Sequence, residues 1–454
     1  MSAIFGDNMV LQAGVRTPVY GRAYPREIVH IRLGKHLATA QADERGDWRV
    51  EMNLPKPEGP LELEIEGASD KVVYRNVLVG EVWLCSGQSN MEWSYHDAKI
   101  ARQNVSIGNA TRPTIRLFKV RHAVAIVPLH DLQGKWVVCT PSTMNDFSLL
   151  GYLFGTNLQD RLNCGVGLIE SDWGGTPAES WTPHSTLNAA AELQPLINSN
   201  FPVPTGAGRD SGDKHKPERA ASVLYNGMIC PLMPYGFRGV VWYQGESNVG
   251  RAGQYRTLFP SMISSWRQEA GRQFPFVFVQ LANFGLRPSE PAKSDWAELR
   301  EAQTAALRLP ATGMATAVDL AKPIEIHWIH REQLAMRLTW VAMSKVYDHK
   351  APAAGPTLKS YRVEGNSMRL EFDGKLNGLI IRNEDGLCGF EVAGEDHIFR
   401  KAYARIDDGA IVVSSTKVAH PIAVRYAWAN DPQVSLYNSA GLPAIPFRTD
   451  DWND

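Results

Sequence analysis

Four short segments place hydroxyl, glycine, amide and imidazole groups directly after apolar runs. The first is Gly87-Gln88-Ser89-Asn90-Met91-Glu92-Trp93. A serine at a tight strand-to-helix turn can expose its hydroxyl and aim its own backbone N–H at the same space, and the glycine permits the turn. The same residues also read as a helix start, with Ser89 as cap and Glu92 completing a capping box. The second segment is Asp172-Trp173-Gly174-Gly175-Thr176-Pro177, followed by Ala178-Glu179-Ser180-Trp181. Its glycines allow backbone N–H groups to approach a ligand oxygen, or simply make a turn. The third, Trp242-Tyr243-Gln244-Gly245-Glu246-Ser247-Asn248, ends an apolar run with two amides and a carboxylate. Buried amides need partners, so several together suggest a polar pocket. The fourth is Ile324-Glu325-Ile326-His327-Trp328-Ile329-His330. An acid close before a histidine can hold its ring, while His327 and His330 could instead bind metal. A serine nucleophile, backbone and side-chain donors and a downstream histidine are what acyl transfer requires.

The surrounding pattern supplies elements to carry these groups. Val77–Ser86 is a near-continuous apolar run and reads as a strand buried on both faces. Strands follow at Ile115–Val120, Gly165–Ile169, Arg238–Gln244, Phe276–Leu281 and Met314–Asp319. Helices are expected at Phe147–Leu162, which Asn163 can stop, and at Tyr255–Glu269, Trp296–Leu309 and Arg331–Val346. Strand–helix alternation implies a mostly parallel sheet, with ligands at the carboxyl ends of its strands. Before this region, Ile28–Leu33, Trp48–Leu54, Leu61–Ile65 and Lys71–Tyr74 read as short strands. After Pro352 the β pattern returns at Leu358–Val363, Met368–Phe372, Leu379–Arg382, Ala410–Ser414 and Ile422–Ala427. Residues 186–220 read as a long loop or small subdomain. Arg300 could reach the substrate, but reads first as part of an amphipathic helix with a solvated face.

Composition narrows the classes. The 454 residues carry 47 Lys+Arg against 48 Asp+Glu, a net charge of −1, so there is no basic footprint for nucleic acid. No apolar run approaches the roughly 18 residues of a membrane span. Met1–Gln12 lacks a basic start, and Asp7 and Asn8 interrupt it, so it does not read as a signal peptide. The expected compartment is cytoplasmic, or periplasmic or secreted if a leader precedes this sequence. Cys85, Cys139, Cys164, Cys230 and Cys388 are widely spaced and read as buried free thiols rather than a disulfide frame or zinc site. The 13 Trp point to a Trp-rich core or to a surface that stacks on flat ligands.

Eight segments together resemble the sialate O-acetylesterase family, a branch of the SGNH hydrolases. They are DNMVLQ (7–12), NVLVGEVWLCSGQSNMEW (76–93), FSLLGYLFGTNL (147–158), SDWGGTPAESW (171–181), VVWYQGESN (240–248), WAELREAQ (296–303), EIHWIHREQLAMRL (325–338) and YAWANDPQVSLYNSAGLPAIPFRTD (426–450). The resemblance implies an α/β fold: an SGNH-hydrolase-like α/β/α core with a mostly parallel sheet (79–349). This core is flanked by an N-terminal β-sandwich-like domain (1–78) and a C-terminal one (350–454). It implies a carbohydrate O-acetylesterase with Ser89 as nucleophile, His327 as base and Glu325 as its acid. The implied oxyanion donors are Ser89, Gly174, Gly175 and Gln244. Substrate contacts are expected from Gln88, Asn90, Trp93, Trp173, Glu179, Glu246, Asn248 and Trp328. The family usually shows Asp-Ile-His-Pro where this chain has Glu325-Ile326-His327-Trp328. No metal or cofactor is expected, and the expected partner is an acetylated carbohydrate, without nucleic acid or membrane. Alternatives are an esterase for acetylated xylan or xyloglucan, and a non-catalytic sugar-binding protein. Oligomeric state is not read from these motifs.

Overall fold

The structure is a computed structural model that describes residues 1–452 apart from 69, 102–106, 108–109, 199–215, 329–330, 374–379 and 383–385. The chain divides into two units: Met1–Ser247 with Thr257–Phe276, and Asn248–Arg256 with Val277–Asp454.

The first unit begins with β1 (Val10–Gln12), β2 (Arg16–Arg22), β3 (Ile28–Leu33), β4 (His36–Gln41), β5 (Asp47–Asn53) and β6 (Glu58–Glu66). Alternation in β3 buries Val29, Ile31 and Leu33 on one face and leaves the other in water. The next strand, β7, runs unbroken over Lys71–Gly87. Its first half pairs antiparallel with β6. Its second half is buried on every residue from Val77 on. There it becomes the middle of a parallel sheet, between β10 (Val166–Asp172) and β11 (Gly239–Tyr243). β8 (Arg112–Lys119) adds to β10 in parallel, and β9 (Trp136–Cys139) closes that edge antiparallel. The local order is β11-β7-β10-β8-β9.

Short helices α1 (Ser89–Glu92) and α2 (Tyr95–Ile100) follow β7, and the longer α3 (Leu149–Leu162) precedes β10. Ser148 caps α3 by accepting from Gly151 N–H (3.0 Å), and Asn163 ends it in the left-handed conformation. Gly155 lets α3 lie close on the sheet, since a Cβ there would sit 2.5 Å from Leu168. The segment expected as a loop from 186 contains α4 (His184–Ala189) and α5 (Gln194–Asn198); most of its Gly-rich part lies outside the described residues. β11 is followed by α6 (Ala252–Glu269).

The second unit holds neighbouring strands β12 (Phe276–Gln280) and β13 (Thr312–Thr316), with α7 (Asp295–Thr304) and α8 (Arg331–Val346). α8 packs on β13 at Gly313, where a Cβ would meet Val341 at 2.3 Å. Beyond it come β14 (Thr357–Glu364), β15 (Ser367–Asp373), β16 (Ile380–Ile381), β17 (Phe390–Ala393), β18 (Arg400–Lys401), β19 (Tyr403–Asp407), β20 (Ala410–Ser414), β21 (Ala423–Tyr426), β22 (Leu436–Tyr437) and β23 (Phe447–Arg448). Two sheets, β14-β15-β20-β19 and β18-β17-β21-β23, share one core that includes Leu370, Phe390, Ile411, Val424 and Tyr426.

Arg300 overturns its expected place on a solvated face, for it is fully buried. Its guanidinium donates to the carbonyls of Leu281 (2.9 Å), Ala282 (3.0 Å), Ala429 (2.8 Å) and Asn430 (2.9 Å). It ties the end of β12 to a loop far along the chain, and the forked geometry is one that lysine lacks. Arg300→Ala strands those acceptors in the interior. It should cost about 3 kcal/mol or more in urea denaturation, and Arg300→Lys should recover little of it.

Candidate active site

The nucleophile candidate sits where β7 ends. Gly87 has φ +142°, and a Cβ there would fall 2.1 Å from the Tyr243 carbonyl oxygen. Only glycine lets the two strand ends approach so closely. Gln88 N–H donates to the same carbonyl (2.9 Å), and the chain then turns into α1. The helix cap is Gln88, without a side-chain cap bond, so Ser89 is the first helical residue and not a capping serine. Ser89 is half-buried. Among the described residues neither its hydroxyl nor its backbone N–H has a hydrogen-bond partner. An N–H in the first turn of a helix has no partner within that helix, which suits it to an incoming oxyanion.

The polar residues around Ser89 mostly brace one loop against the next. Gln88 Oε1 accepts from Gly245 N–H (3.4 Å) and Ser247 N–H (3.2 Å). Asn90 Nδ2 donates to Glu246 Oε1 (2.5 Å). Gln88, Asn90 and Glu179, expected as substrate contacts, are buried in the first unit, and Asn248 is buried in the second. Trp181 is buried too, its indole N–H bonded to Thr176 Oγ1 (2.9 Å). Trp242 is enclosed by Trp181, Trp266 and Phe259, with ring centroids at 6.1, 5.7 and 6.4 Å. Trp93 and Trp173 remain half-buried, and Trp173 has one face covered by the His122 ring (4.0 Å, 9°).

The loop after β10 changes the expected oxyanion donors. Gly174 lies against the nucleophile, since a Cβ on it would be 3.2 Å from Ser89 Cβ. Its N–H, however, donates to Glu92 Oε2 (2.6 Å). Gly175 is exposed, has φ +73° and keeps its N–H without an acceptor among the described residues. Gln244 is buried and donates through Nε2 to Thr176 O (3.3 Å).

In the second unit His327 is half-buried. Glu325 pairs with Lys322 (3.5 Å), and the two Asp319 oxygens go to Arg337 (2.6 and 2.9 Å) with Tyr437 at 3.3 Å. Glu325, expected as the acid, is therefore engaged by Lys322, and Asp319, the next carboxylate upstream, by Arg337. Trp328 is buried, with the Arg331 guanidinium 5.7 Å from its ring, which removes it from the expected stacking surface. His330 lies outside the described residues. Among those described, no cluster of three or more His, Cys, Asp or Glu is arranged to hold a metal.

Residues 202–340 match the family model for carbohydrate esterases, sialic acid-specific acetylesterase. The sialate O-acetylesterase of Rattus norvegicus is 31% identical, covering 88% of this chain and 83% of its own. The Homo sapiens enzyme of that name is 30% identical, covering 98% and 91%. A carbohydrate acetylesterase from Xanthomonas citri has a crystal structure with TM-score 0.88 and 34% identity, covering 100% of this chain and 99% of that one. The chain belongs to the sialate O-acetylesterase family. It is a carboxylic-ester hydrolase.

The esterase also carries an acidic cluster that the motifs do not disclose. Glu170 and Asp172 alternate onto one face of β10 and are both buried. Glu170 pairs with Lys119 Nζ (2.7 Å) and accepts from Ser148 N–H (2.7 Å). Burial, then the nearby Glu170 and Glu92 charges, push the Asp172 carboxyl well above its ordinary range. Asp172 is thereby biased toward its neutral form. His122 was equally hidden: it lies two residues past the expected strand Ile115–Val120, and that position was its only signal. An acid whose folded pKa is raised stabilises most below its unfolded value, near 4. That stability is lost as pH rises toward the folded value. The melting temperature of the wild-type esterase should therefore fall, as pH rises above about 4, more than that of Asp172→Asn, which keeps the neutral form at every pH.

Proposed function

We propose that this esterase removes acetyl groups from sugar hydroxyls, acetylated sialic acids among them, through an acyl-enzyme on Ser89. The observation that carries the reading is the serine itself: a hydroxyl and a backbone N–H, both unpartnered among the described residues, on a glycine-dependent turn at the end of a central strand. Membership of the family supports the same chemistry. We read the frame as an SGNH-type core at 79–349 between β-sandwich-like domains at 1–78 and 350–454.

His327 takes the Ser89 proton as Oγ adds to the acetyl carbonyl. The oxyanion is held by the N–H groups of Ser89 and Gly175, with the side-chain amide of Gln244 as a third donor. His327 gives its proton to the departing sugar hydroxyl. It then activates water, which adds to the acetyl-serine and releases acetate. Glu325 is the acid for His327. Its bond to Lys322 is long and its side chain is 36% exposed, so that pair is weak and can be exchanged.

Acetate release from a panel of acetylated sialosides and acetylated plant glycans tests the reading. Ser89→Ala and His327→Ala should each lose about 10³-fold or more in kcat while melting like wild type. Gln244→Ala should lose on the order of a hundredfold, and Glu325→Gln clearly less. Undiminished acetate release by Ser89→Ala would end the proposal. A protein that merely binds sugars would release no phenol from an aryl acetate.

A further inference from the structure

We propose that Glu92 and His122 are positioning residues that clamp the donor loop beside Ser89, with His122 screening a carboxylate that would otherwise oppose the oxyanion. This rests on the reading of Ser89 as nucleophile.

Glu92 ends α1, three residues after Ser89. Its two oxygens are divided between two loops. Oε2 accepts from Gly174 N–H (2.6 Å), and Oε1 faces His122 Nε2 (3.1 Å). The same Nε2 lies 3.0 Å from the Asp172 carbonyl oxygen. Both neighbours are acceptors there, so Nε2 is the nitrogen that carries hydrogen. The imidazole also lies flat on Trp173, at 4.0 Å and 9°. Helix α1, the chain after β8 and the loop after β10 are thereby tied together around one carboxylate.

Two consequences follow. First, Gly174 N–H is spent on Glu92, and its peptide is held in place against Ser89. That fixes the neighbouring Gly175, whose N–H is the loop's remaining donor. An oxyanion hole works because its donors need no reorganisation during the reaction. Second, the clamp brings a negative charge within one residue of the place where negative charge develops. Like charges at such separations oppose each other strongly in a partly dry site. The Gly174 N–H on Oε2 and the protonated Nε2 edge of His122, 3.1 Å from Oε1 with its own hydrogen bond to the Asp172 carbonyl, screen that charge. A glutamine at 92 would keep an oxygen for Gly174 N–H and carry no charge.

The test uses the full chain and an aryl acetate, with a fluorophosphonate counting the reactive Ser89. His122→Ala should lower kcat per titrated site by about tenfold or more, with KM within about twofold. Glu92→Gln should stay within about threefold of wild type, and Glu92→Ala should fall with His122→Ala. The double variant Glu92→Gln/His122→Ala should regain most of the loss, because no charge is left to screen. A role in packing alone would reduce the titrated fraction, leave kcat per site unchanged and show no rescue; that result overturns the clamp. Should His122→Ala not fold, the tenfold gap between Glu92→Ala and Glu92→Gln decides instead. Failure of the fluorophosphonate to label Ser89 in wild type would overturn the parent reading, which is a separate outcome.

Discussion

The approach of Gly87 to the Tyr243 carbonyl is the constraint on which the site depends. Two parallel strand ends meet there with no room for a side chain. Tyr243 is directly opposite Gly87 in the sheet, and so is Asp172 on the other side. Three loops consequently leave the sheet at the same level, carrying Ser89, Gly174 and Gln244. The braces from Gln88 and Asn90 only hold what that register has aligned. A side chain at 87 would push β11 away and move all three loops together, so the glycine acts through geometry and touches no substrate.

Much of the polar material near the site serves burial. Arg300 is buried among carbonyl oxygens, Lys119 pairs with Glu170, and burial biases Asp172 toward its neutral form. In each case the group is partnered or neutral, since an ionised group left alone in the interior is far too costly. A polar residue inside a catalytic motif is thus ambiguous by type: Asn90 and Gln88 hold loops, whereas Ser89 between them offers its hydroxyl.

Elements with a clean period were legible. The expected strand at Ile28–Leu33 and helix at Arg331–Val346 match their observed limits, because apolar residues recur on the buried face of each. Strand β7 was read as two, with a break at Arg75-Asn76. Asn76 does sit at φ +56°, and the register with β6 shifts there. The strand continues because Asn8 (2.7 Å) and Arg116 (3.1 Å) bond the Asn76 amide, and those partners lie far away in sequence. Arg300 failed for the same reason: the Ala429 and Asn430 carbonyls that claim it cannot be seen from its own helix. The site was legible as far as the glycines and the serine. The ion pairs of Glu325 and Asp319 were not, since any of several basic residues could have taken either carboxylate.

The tryptophans show how far composition can lead. Trp83, Trp181, Trp242 and Trp328 are buried, so most of those beside the motifs belong to the core. Burying an indole in a layer behind the catalytic loops gives a large, rigid contact with little rotamer freedom to lose. Trp242 stands directly before Tyr243 and is enclosed on several sides by aromatic rings. It fixes the height of β11, and with it the carbonyl that Gly87 approaches. Of the tryptophans beside the motifs, Trp93 and Trp173 keep some exposure, and His122 already occupies one face of Trp173. A flat ligand can therefore stack on Trp173 only from the other side. The imidazole that backs Trp173 also lies 3.1 Å from Glu92, so one side chain joins this aromatic ring to the loop that carries Gly174.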